Sequence, residues 1–156
     1  MAGKGSALAD LVATDLTAGA FAAAGDFPCL RHLDLSRNRL GEAGARQLAA
    51  DVRMPVLEYL DLSGRAGGSP YYARPDVQPV GDRGIEAWAS SGNAENLTYL
   101  NVAATGLGAD GLVALMQSER LRKLCTLDLS YNPLGSWPAA LAGGSHLARA
   151  ADPGPR

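Results

Sequence analysis

The text LRHLDLSRNRL, which begins at Leu30, comes back along this 156-residue chain as LEYLDLSG at Leu57, LTYLNVAATGL at Leu97 and LCTLDLSYNPL at Leu124. The starts are spaced by 27, 40 and 27 residues, and a fainter copy, SALADLVATDL, begins at Ser6, 24 residues before Leu30. Self-similarity at such a period marks a chain built of stacked units, none of which can bury its apolar face alone. This repeat constrains the fold more than any other feature.

Each copy follows L-x-x-L-x-L-x-x-N-x-L, with Thr14 and Thr105 standing where Asn38 and Asn132 supply the asparagine. The alternation in HLDLS is that of a short strand with one buried face. It turns Leu33 and Leu35, Leu60 and Leu62, Leu100 and Val102, and Leu127 and Leu129 inward. The asparagine then turns the chain, its amide serving backbone groups that the turn leaves unpaired. Leu40, Val80, Leu107 and Leu134 re-enter the core after the turn. The segments GEAGARQLAADV, GDRGIEAWAS and GADGLVALMQSE predict three returning helices, with Leu48, Trp88 and Leu115 at one repeat position. Their early glycines are expected to let helix and strand layers approach.

These motifs resemble the leucine-rich repeat family over roughly residues 6 to 147. Repeat length and helical return resemble its ribonuclease-inhibitor-like subclass. The last copy, NPLGSWPAALAGGSHL, is instead similar to the N-x-L-x-x-L-P-x-x-L form. The resemblance implies an α/β solenoid of about five repeats: a short arc with a parallel β-sheet on its concave face and helices on its convex face. Residues 1–149 are expected to form one repeat domain, with repeats starting near 6, 30, 57, 97 and 124, and residues 150–156 a disordered tail.

One stretch breaks the rhythm. Between Leu62 and Val80 lie thirteen residues more than between Leu35 and Leu40, while the repeat keeps its register on both sides. The expected product is an outward loop over 66–78 at the C-terminal edge of a strand. It holds Tyr71, Tyr72 and Arg74, residue types enriched in binding hot spots. Two readings follow, a tolerated insertion and a partner-binding loop.

Outward residues of adjacent parallel strands stack into columns about 4.8 Å apart. The middle column is expected to read Asp10, Asp34, Asp61, Asn101, Asp128, beside Leu8, His32, Tyr59, Tyr99, Thr126 on one side and Val12, Ser36, Ser63, Ala103, Ser130 on the other. A ladder of carboxylates beside an aromatic stripe suits a cationic group, which would relieve the repulsion and stack on Tyr59 or Tyr99. Aspartate in the text LDLS is also a habit of such repeats, so the tyrosine pair is the sharper pointer.

The remaining observations exclude more than they assign. A net charge of −2 and the lack of a basic stripe argue against nucleic acid. The N-terminal text is no signal peptide, no apolar run reaches membrane-spanning length, and the two cysteines favour a reduced compartment. A cytoplasmic location is therefore expected, and the alanine- and glycine-rich text suggests a bacterial source. Cys29 and Cys125 are expected in or near the core, and with His32 and His146 they make no metal set. GKG at Gly3 lacks the rest of a phosphate loop, so no cofactor is expected. Asp34 and Asp61 on neighbouring strands have the spacing of a paired-carboxylate hydrolase but no closed cleft.

The expected function is a non-catalytic protein-interaction module whose partner contacts His32, Asp34, Tyr59, Asp61, Tyr99, Asp128, Tyr71, Tyr72 and Arg74, the partner's own surface being basic. The alternatives are a capping or structural piece of a longer array and a self-associating scaffold. Activation of a GTPase rests on fold analogy alone.

Overall fold

A computed structural model describes residues 9–12, 21, 23, 25–64 and 79–134. Five parallel strands of three residues each form one sheet in chain order: β1 Asp10–Val12, β2 His32–Asp34, β3 Tyr59–Asp61, β4 Tyr99–Asn101 and β5 Thr126–Asp128. The described crossovers are the helices α1 Gly41–Asp51, α2 Gly81–Ser90 and α3 Ala109–Gln117. Parallel neighbours require such crossovers, and sequential order places each helix beside the next.

The strands are short because their last residue ends them. Asp34 Oδ1 accepts the Ser36 backbone N–H at 2.9 Å, and Asp61 does the same for Ser63 at 2.8 Å. Asn101 accepts from Ala103 at 3.0 Å and Asp128 from Ser130 at 2.9 Å. Each is a turn in which the side chain substitutes for a backbone acceptor. The next residue is left-handed in three repeats, with φ of 60° at Arg37, 53° at Ala104 and 59° at Tyr131. The third repeat differs, since Gly64 occupies that position without a left-handed φ. A Cβ there would lie 2.1 Å from the Ala104 carbonyl oxygen, so the chain leaves for the interruption through a gap only glycine passes.

The inward leucines form the core as the alternation predicts. Leu33, Leu60, Leu100 and Leu127 are register partners on successive strands, and all are buried. Leu35, Leu62, Val102 and Leu129 form a second buried row, and Leu48, Trp88 and Leu115 close it from the helix side. Burying one such side chain contributes about 1.5–3 kcal/mol, and here each is covered by the described repeats beside it. Leu62 and Val80, which flank the interruption, are both in this core.

Polar side chains tie successive repeats. Asn132 Oδ1 accepts the Thr105 and Leu107 N–H groups, each at 3.0 Å, and its amide donates to Val102 O at 2.7 Å and Leu129 O at 3.0 Å. Buried Asn93 donates to Val52 O at 2.7 Å and accepts from Met54 N at 2.8 Å. Ser91 and Ser118 donate to the last-turn carbonyls of Ala49 and Ala89 in the preceding helices.

Three expectations are corrected. First, β1 sits two residues out of the expected register: Asp10 pairs with His32, Leu11 with Leu33 and Val12 with Asp34. Asp10 therefore heads the aromatic column, not the carboxylate one, and Leu8 and Thr14 lie outside the described residues. Second, Cys29 and Cys125 are free and exposed, since Cys125 holds the outward repeat position of Arg31 and Glu58. Third, Gly84 and Gly111, the second glycines of the α2 and α3 starts, serve the approach of helix to helix. A Cβ on Gly84 would stand 3.1 Å from Ala45 Cβ of α1, and one on Gly111 would stand 2.9 Å from Asp82 Cα of α2.

Candidate functional site

The face of the sheet opposite the helices carries three columns. The first runs Asp10, His32, Tyr59, Tyr99, Thr126 and the second Val12, Asp34, Asp61, Asn101, Asp128. The third, Ser36, Ser63, Ala103 and Ser130, follows from the turn bonds above. Four carboxylates stand in these columns and, among the described residues, no lysine or arginine.

The first column is a stack of rings. His32 lies on Tyr59 with centroids 3.8 Å apart and planes 11° apart, and Tyr59 lies on Tyr99 at 4.4 Å and 5°. Both separations are smaller than the strand spacing of about 4.8 Å, so the rings lean toward one another. All three residues are half-exposed, so ring edges remain available to a partner. Burial first, then the Asp61 carboxylate, Tyr99 and Asp34, hold the Tyr59 hydroxyl neutral, its pKa pushed up from 10.0 to about 12. The Tyr59 ring at the centre of the stack is thus an uncharged surface beside the aspartates of the second column.

The carboxylates are not a uniform ladder. Asp61 is buried, and its Oδ2 accepts the Asn101 amide at 3.0 Å while its Oδ1 holds the Ser63 turn. Asp34 and Asp128 are half-buried, each with one oxygen in its own turn and the other without a partner among the described residues. The neutral Asn101 separates Asp61 from Asp128, which lowers the repulsion along the column.

Of the sequence-predicted residues, the fold therefore brings together His32, Asp34, Tyr59, Asp61, Tyr99 and Asp128. Tyr71, Tyr72 and Arg74 lie outside the described residues. The described flanks of that stretch are both fixed to the turn after β4. Gly64 N–H donates to Ala103 O and Gly81 N–H to Thr105 O, each at 2.9 Å. A Cβ on Gly106 would stand 2.9 Å from Pro79 Cβ, so Pro79 rests on the same turn. Among the described residues no group of three or more His, Cys, Asp or Glu side chains is placed to hold a metal ion. No described helix is long and apolar enough to cross a membrane.

Family models match the repeats themselves. A model described as Leucine Rich repeat matches residues 28–49 and 93–116, and one described as Leucine Rich Repeat matches 123–143. The fold is an α/β leucine-rich repeat solenoid. The matched segments begin at or just before Leu30, Leu97 and Leu124, and the sheet register carries the same unit through Leu57, where the interruption falls. Leucine-rich repeats generally mediate protein–protein interaction and are typically non-catalytic.

The sequence did not reveal two features of this face. The Asn101–Asp61 bond needs the two strands side by side, and ring contact depends on side-chain orientation that no spacing in the text encodes. The turn role of the aspartates had a signal in the D-x-S text, because an aspartate two residues before serine is a turn pattern.

Proposed function

We propose that this chain is a non-catalytic interaction module that receives a protein partner on the concave face of its sheet. The observation that carries the proposal is the half-exposed His32–Tyr59–Tyr99 stack lying against Asp34, Asp61 and Asp128. Rigid aromatic surface is what interface hot spots are made of. A face with carboxylates and no described lysine or arginine favours a partner with a basic surface, through steering and register. Tyr71, Tyr72 and Arg74 belong to the proposal as a second contact, supported by the anchoring of Gly64 and Pro79 at the C-terminal edge of the same sheet. Two free cysteines accord with a reducing compartment such as the cytoplasm. The repeat lengths support placement in the ribonuclease-inhibitor-like subclass.

The test is affinity capture with the parent chain and two variants, Tyr59→Ala/Tyr99→Ala and Asp34→Asn/Asp61→Asn. Asparagine is compatible with the turn, as Asn101 occupies the same position with the same backbone bond. Circular dichroism checks that each variant is folded. The expected result is a partner held by the parent chain and lost from both variants. Retention of that partner by both folded variants contradicts the assignment to this face.

A further inference from the structure

The ring stack stops one strand short of the last described strand's edge of the sheet. His32, Tyr59 and Tyr99 each supply a planar group at one step of the first column, and the next step is Thr126 on β5, exposed and without a ring. Tyr59 covers one face of Tyr99, and the other face looks along the column over Thr126. The step between strands is about 4.8 Å, and a cation is attracted to a ring face within about 6 Å of its centroid. One planar group therefore fits above Thr126 as the fourth member of the stack. Beside this step, in the second column, stands Asp128, whose Oδ1 holds the Ser130 N–H at 2.9 Å and whose Oδ2 is without a partner among the described residues.

We infer that the step over Thr126 is a slot for the guanidinium of an arginine on the partner, stacked on the open face of Tyr99 and hydrogen-bonded to Asp128. The inference rests on the proposed interaction function and adds the chemistry of one contact. Planarity selects arginine: a guanidinium stacks flat and turns its N–H groups in-plane toward a carboxylate, which a lysine ammonium cannot do. Charge selects a cation, since Asp128 Oδ2 has no partner among the described residues and the columns hold no described lysine or arginine. The opposite end of the stack lacks this arrangement, because there the register partner of His32 is Asp10, in the first column itself.

The test uses the full chain and three end-blocked tripeptides, Gly-Arg-Gly, Gly-Lys-Gly and Gly-citrulline-Gly, titrated by two-dimensional NMR. The arginine peptide is expected to bind about tenfold more tightly than either of the others, with its shifts centred on the Tyr99 ring and the Thr126 and Asp128 amides. Thr126→Leu fills the step yet leaves the rings and carboxylates in place, and Asp128→Asn removes the charge yet keeps the turn. Each is expected to abolish the arginine preference. Equal binding of the three peptides, no binding of any, shifts centred elsewhere, or a preference surviving in both variants overturns the slot. The captured partner separates this failure from that of the proposed function. If it still needs Asp34, Asp61, Tyr59 and Tyr99 while the slot fails, only the slot is wrong; if it needs none of them, both are.

Discussion

Replacing Gly111 by alanine sets two effects of known size against each other. Alanine in a helix interior is favoured over glycine by about 1 kcal/mol, so propensity alone predicts a more stable chain. Packing predicts the reverse. The new Cβ would stand 2.4 Å from Leu107 Cδ1, 2.7 Å from Asp82 Oδ1 and 2.9 Å from Asp82 Cα. Leu107 Cδ1 ends a flexible side chain and can move. The Asp82 carboxylate cannot move without loss, because its Oδ1 accepts the Gly108 N–H at 2.6 Å at the start of α3. Asp82 Cα moves only if α2 does. Overpacking of this kind costs about 1–3 kcal/mol, and losing a helix-start bond about 0.5–2 kcal/mol. Less the propensity gain, Gly111→Ala is expected to destabilise by about 1–3 kcal/mol, which lowers the melting temperature by roughly 3–10 °C. Gly92→Ala is the control: nothing lies within 4 Å of its Cβ and its φ is not left-handed. That variant should match the parent or gain about 0.4–1 kcal/mol. Urea unfolding of the three chains measures both. A Gly111→Ala chain as stable as the parent or more so refutes the argument that the helices meet at this glycine.

Two further outcomes follow from the same structure. Because folding raises the Tyr59 pKa from 10.0 to about 12, its contribution to stability is complete below pH 10 and is lost as pH rises through 12. Absorbance titration of the phenolates should show a late phase that Tyr59→Phe removes, and a titration unchanged by Tyr59→Phe above pH 10 contradicts it. Asn132→Ala removes three backbone bonds that join the last two described repeats and a fourth within its own, and at about 1 kcal/mol for each, reduced for partial exposure, should cost about 2–4 kcal/mol in urea unfolding. A cost under about 0.5 kcal/mol would show that water replaces the amide without loss.

The solenoid was legible because its energetics are periodic. Leu33, Leu60, Leu100 and Leu127 can be buried only by their counterparts in neighbouring repeats, so the spacing that stabilises them is the spacing read in the text. The first repeat was misplaced for an equally physical reason. A strand slid by two residues keeps every side chain on its face, so alternation alone cannot separate Asp10 beside Asp34 from Asp10 beside His32. Cys125 was readable as outward from the repeat position it shares with Arg31 and Glu58, but residue type outweighed position in the expectation of burial. The candidate site was legible as columns of residue types and not as a platform. That His32, Tyr59 and Tyr99 touch face to face depends on side-chain orientation, and that Asp61 is enclosed by Ser63 and Asn101 depends on turn geometry.

The central claim is that the partner binds the sheet face and not the helix face. The measurement that tests it most directly is calorimetric titration of the captured partner against three chains: the parent, Tyr99→Ala, and Val113→Arg, which alters an exposed residue of α3 on the helix side. The account predicts that Tyr99→Ala weakens binding at least tenfold, the size of a hot-spot truncation, while Val113→Arg binds as the parent does. Parent-like affinity in Tyr99→Ala together with loss of binding in Val113→Arg would contradict it and move the interface to the helices.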